Sequence, residues 1–124
     1  MTVVLAEARA SEVPVVLMAD TLSARVLLLR RHAREPHELP EAERVAFFED
    51  MVRVGRALEL VYGALKLNYS ILGNVVPHLH AHIQPRFHGD PYPGGTVNPA
   101  PGQALALAAD QAREQILRIR AALA

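Results

Sequence analysis

The stretch Pro77-His78-Leu79-His80-Ala81-His82-Ile83-Gln84-Pro85 carries two patterns at once. Successive side chains of a β-strand point to opposite faces, and residues two apart rise by about 6.7 Å. His78, His80 and His82 therefore line one face of a strand predicted over 78–84, and Leu79, Ala81 and Ile83 line the other. The apolar set gives the strand a core side, which fixes its register and leaves the imidazoles on the accessible side. Pro77 and Pro85 bracket it, as suits a residue tolerated at strand ends and edges but not within a ladder.

Working outward, the sequence supplies partners for such a strand. Leu67-Asn68-Tyr69-Ser70-Ile71 reads as a strand just upstream, separated by a turn at Gly73-Asn74. Val15-Val16-Leu17-Met18 and Arg25-Val26-Leu27-Leu28-Leu29-Arg30 are short apolar runs of strand length, and Val3-Val4-Leu5 is a further strand or an arm. Between the two groups the period changes. Phe47, Met51, Val54, Leu58 and Val61 recur at spacings of four and three, and Val45, Phe48, Val52 and Tyr62 widen the same apolar side. Glu43, Glu49, Asp50, Arg53 and Arg56 fall largely elsewhere, with Glu49 able to face Arg53 one turn on. Pro40 suits the first turn and Gly63 the end of this helix. After a Pro- and Gly-rich loop at 89–99, Leu105, Ala109, Ala112, Ile116, Ile119 and Leu123 form the stripe of a second helix, with Asp110, Arg113, Glu114 and Arg118 outward. The expected fold is one α+β domain over residues 1–124, an antiparallel sheet with a long central helix and a C-terminal helix.

Length and composition agree with that economy. At 124 residues and 51% hydrophobic content the chain can bury one core without disulfides or a structural metal. It has no cysteine, which excludes thiol chemistry. Thirteen basic and thirteen acidic residues give zero formal charge, which argues against a DNA- or RNA-coating role. No run approaches the roughly 18–20 apolar residues that span a bilayer, and the N-terminus lacks a targeting leader, so no membrane partner and a cytoplasmic location are expected. Charge is uneven all the same. No Asp or Glu occurs between Glu59 and Asp90, so the histidine segment is locally free of acids, as an anion site prefers.

Three imidazoles on one face can bind a metal, carry protons near neutral pH, or attack an electrophile while neighbours stabilise charge. A zinc site would need another well-placed ligand; the nearby acids are poor candidates, with Asp90 beyond a loop, and His32, His37 or His88 could approach through the fold. A nucleophilic histidine needs an acceptor on its other ring nitrogen to fix the tautomer, and a strand-neighbour carbonyl can serve. Both readings remain open on residue chemistry alone.

The longer segment from Asn68 to Arg86, Asn-Tyr-Ser-Ile-Leu-Gly-Asn-Val-Val-Pro-His-Leu-His-Ala-His-Ile-Gln-Pro-Arg, resembles the signature of the histidine triad (HIT) family of nucleotide-binding proteins. The resemblance reaches back through 25–32 and the long helix and forward to the loop at 90–96. It implies a homodimer and a nucleotidyl hydrolase or transferase acting at an α-phosphate, on a substrate such as a purine nucleoside phosphoramidate or a dinucleoside polyphosphate. It implies His80 as the nucleophile and His78 and His82 as flanking catalytic groups. Asn68 matches an amide position near ribose or phosphate, and Asn74 lies where relatives often place a phosphate-contacting Gln. Arg25 stands where many relatives have His, after the small-residue turn Ser23-Ala24, and could clamp phosphate charge through its fork of donors. The N-terminus has none of the Cys or His metal clusters of some relatives, so no metal and no cofactor are expected. A nucleotide sensor with little turnover and a metal-dependent hydrolase are the competing readings.

Overall fold

The computed structural model describes residues 2–7, 14–18, 25–29, 32–89 and 109–123. Among the described residues five strands, β1 (Thr2–Glu7), β2 (Pro14–Met18), β3 (Arg25–Leu28), β4 (Lys66–Ser70) and β5 (His80–Arg86), form one sheet in the order β1-β2-β3-β5-β4. Every adjacent pair is antiparallel. The described helices are α1 (Glu41–Tyr62) and α2 (Ala109–Leu123), with a 3-10 turn at Pro36–Glu38 ahead of α1. The expected α+β architecture with a long central and a C-terminal helix is present, and Val3-Val4-Leu5 belongs to a strand. Leu105, Ser23-Ala24 and the loop at 90–96 lie outside the described residues. Among the described residues no helix is long and apolar enough to cross a membrane.

The alternation read from the histidine stretch sets the core. Leu79, Ala81 and Ile83 are fully buried beneath α1, where they meet Phe47, Met51, Val54 and Leu58 of the predicted stripe and Ile119 of α2. Pro40 sits one residue ahead of the helix, with its carbonyl accepting the Arg44 N–H at 3.0 Å. Gly63 ends α1 in the left-handed region at φ +62° and donates its N–H to Glu59 at 2.8 Å, a conformation that disfavours any residue with a Cβ.

Several expectations are corrected. Val45, Phe48 and Val52 do not widen the buried side of α1 but stand exposed, whereas Asp50 is fully buried. Asp50 follows Phe47 by three residues and precedes Val54 by four, so the helical period itself carries it onto the core face. Arg53 accordingly faces Asp50 at 3.7 Å, rather than Glu49, and also donates to the Leu123 carbonyl at 3.2 Å. Strand β5 starts at His80 and runs through Pro85 to Arg86, two residues later than predicted at each end. The β3 register ends with Arg25 opposite Ile83, so Pro85 lies beyond that pairing and its missing N–H removes no bond to β3.

Candidate active site

The geometry of the site begins with backbone carbonyls. His80 Nδ1 lies 2.6 Å from the His78 carbonyl oxygen. A carbonyl can only accept, so Nδ1 carries the proton and the neutral ring keeps its lone pair on Nε2. The sequence asks for an acceptor from a strand neighbour, and the residue two positions back supplies it. His82 follows on the same face, its ring 5.2 Å from that of His80 and close to perpendicular to it. Both rings are half-buried, at the boundary between sheet and solvent.

His78 lies before the strand and is held differently. Its Nε2–H donates to the Leu29 carbonyl at 2.5 Å, just past β3. The flanking backbone is pinned to the same segment: Leu79 N–H donates to Ala33 at 2.7 Å, and Leu29 N–H to Leu79 at 3.2 Å. The His78 carbonyl is thus fixed where His80 needs it. The ring partner of His78 is His32, at 5.7 Å between centroids with the planes 31° apart. On residue chemistry alone His32 is only a possible metal ligand. The bonds at Leu29 and Ala33 that bring it to the triad join residues far apart in sequence and have no local sequence signal.

Asn68, on β4, stands directly opposite Gln84, as Ser70 does opposite His82, so these residues share the histidine face. The Asn68 Oδ1 accepts from Nη1 of Arg86 at 2.8 Å, and Arg86 is buried. Gln84, Ser70 and Arg86 are not among the residues that the resemblance singles out. The period of two that singles out His80 and His82 extends to Gln84 and Arg86 and could have found them. Asn74 is exposed in the loop 71–79 that leads into His78. Arg25 is placed by backbone register opposite Ile83, whereas Val26 and Leu28 stand opposite His82 and His80. The Arg25 side chain lies outside the described residues, as does Asp90. Among the described residues no group of three or more His, Cys, Asp or Glu side chains could hold a metal ion.

The family model of the HIT domain matches residues 15–89, more than half of the chain. The chain belongs to the HIT family. Solved relatives agree over nearly its whole length. A histidine triad protein from Marinobacter aquaeolei VT8 is 28% identical with a TM-score of 0.87, the match covering 98% of this chain and 88% of that one. A histidine triad (HIT) protein from Sinorhizobium meliloti 1021 is 26% identical with a TM-score of 0.86, covering 97% and 88%. One from Bradyrhizobium japonicum is 29% identical with a TM-score of 0.84, covering 99% and 91%. No curated protein matches. HIT membership supports nucleotide binding and chemistry of the general hydrolase or transferase type.

Proposed function

We propose that this HIT protein cleaves a nucleotide bond at the α-phosphate in two steps, with His80 as the nucleophile. The observation that carries the reading is the bond from His80 Nδ1–H to the His78 carbonyl, which leaves the free lone pair on Nε2. In the first step Nε2 bonds to phosphorus as the bond to the leaving amine or phosphate breaks, the leaving atom taking the electron pair and a proton. His82, beside His80, is the group placed to supply that proton. In the second step a water oxygen attacks phosphorus, the N–P bond breaks with its electrons returning to Nε2, and the water proton passes to the base that lost one. An alcohol or phosphate acceptor in place of water makes the same enzyme a transferase. His78 holds the geometry through its carbonyl.

Purine nucleoside phosphoramidates and dinucleoside polyphosphates are the substrate classes to offer. Turnover of either by the wild-type protein, with a loss of more than about a thousandfold in kcat for His80→Ala, is the expected result. Equal turnover by both proteins would overturn the nucleophilic role. Micromolar nucleotide binding with neither product nor a trapped nucleotidyl-protein would mark a sensor instead. The same reading makes the protein a homodimer, supported by the exposed Val45, Phe48 and Val52 of α1.

A further inference from the structure

Arg86 is 7% exposed, a buried cation at the far end of the histidine strand. Removing a guanidinium from water costs free energy that hydrogen bonds from its donors must offset. One of those donors, Nη1–H, goes to Asn68 Oδ1 at 2.8 Å. A side-chain amide has one accepting end and one donating end, and a guanidinium can satisfy only the first. The contact therefore fixes the flip of the Asn68 amide: oxygen toward Arg86, NH₂ away from it. Asn68 is half-buried on the face of His80 and His82, one register level beyond the Ser70–His82 pair. Arg86 itself is six residues from His80, about 20 Å of strand rise, too far to act on a phosphorus bonded there.

We propose that Arg86 is a positioning residue that orients the Asn68 amide, so that its two N–H donors meet an acceptor oxygen of the bound nucleotide, on the ribose or on the phosphate. The inference rests on the nucleotide reading of this site. It assigns Arg86 a part in binding, and none in bond cleavage.

Asn68→Asp separates orientation from structure. The aspartate keeps an acceptor for Arg86, now as an ion pair, and loses the donors. Calorimetry with AMP on the full chain should show at least about tenfold weaker binding for Asn68→Asp, with the melting temperature maintained. Arg86→Met should weaken AMP binding several-fold in the wild-type background and cause no further loss in Asn68→Ala, with Arg86→Lys rescuing in part. In turnover KM should rise while kcat holds. If adenosine shows the same losses the acceptor is on the ribose; if AMP alone does, it is on the phosphate. Undiminished AMP binding by Asn68→Asp, or an Arg86→Met penalty that persists in Asn68→Ala, would overturn the proposal. A wild-type protein that binds no nucleotide would overturn the nucleotide reading, and with it the ligand assigned to Asn68. The orientation is then read separately by NMR: Asn68 NH₂ protons remote from the Arg86 guanidinium uphold the positioning contact, and protons adjacent to it overturn that as well.

Discussion

Leu79 stands between two histidines and is tied to both through its backbone. Its side chain is 1% exposed, its N–H reaches Ala33 and its carbonyl receives Leu29. Shortening it to alanine removes core contacts and loosens the peptide that carries the His78 carbonyl. Leu79→Ala should cost about 2–5 kcal/mol in urea unfolding and should lower kcat in the fraction that remains folded. Glu38, in the turn that follows this segment, is also held by backbone. Its carboxylate accepts the Arg34 N–H at 2.6 Å and the Glu35 N–H at 3.1 Å. The bond from Arg34 and then that from Glu35 hold its carboxyl below the usual glutamate value, against a smaller opposing effect of burial and with help from the nearby charges of Arg34 and His37. A carboxyl with a depressed folded-state pKa adds stability above its unfolded value, and this is lost as pH falls through the folded one. NMR titration should place the Glu38 midpoint below that of a free glutamate, with amide shifts of Arg34 and Glu35 following the same curve. A midpoint at the ordinary value would show that the bonds do not persist in solution.

At the scale of elements, α1 and β4 meet at a place where a side chain is missing. A Cβ added to Gly55 would collide with the Tyr69 ring, hydroxyl first. Glycine within a helix costs about 1 kcal/mol relative to alanine, so its presence here is explained by the close approach of Tyr69. Gly55→Ala should therefore bring little or no net stability in the wild type and about 1 kcal/mol in a Tyr69→Ala background, a difference that a double-mutant cycle measures. The sequence made the main elements legible for physical reasons. Phe47, Met51, Val54 and Leu58 repeat with the helical period, and Gly63 ends the helix because its left-handed backbone suits glycine. The same pattern cannot tell which of several apolar faces is covered, so it does not separate the exposed Val45, Phe48 and Val52 from the core. Nor does an acidic side chain announce its own burial, as the buried Asp50 shows. His80 and His82 were legible from local alternation. The His78–Leu29 bond, the approach of His32 and the Asn68–Arg86 contact join residues far apart in sequence, and only the assembled sheet brings them together.

Across the whole molecule the C-terminal halves of the two helices are fastened by reciprocal contacts. Arg118 of α2 donates to the Val61 carbonyl in the last turn of α1 at 2.8 Å, and Arg53 of α1 donates to the Leu123 carbonyl in the last turn of α2. Cations at helix C-termini are favourable there, and Tyr62 adds a hydrogen bond to Gln115 between them. This packing covers one part of α1 and leaves another bare. Val45, Phe48 and Val52 are spaced three and four apart on one exposed face, and the next position along it is Gly55, over which half-exposed Tyr69 of β4 lies. The bare stripe thus continues across the helix onto β4, which is an outer strand of the sheet. A face built from one helix and an edge strand can meet its own copy about a two-fold axis, and a stable dimer needs about 800 Å² from each subunit, more than the stripe alone provides. The edge of β4 is the adjoining surface able to make up the rest. Light scattering of the wild-type chain should give twice the mass of one chain. Val52→Glu, which puts a charge in the middle of the stripe without touching the core, should give the mass of one chain with an unchanged circular dichroism spectrum. A wild-type mass of one chain at every concentration would rule the dimer out. A Val52→Glu protein that stays dimeric would place the contact elsewhere on the surface.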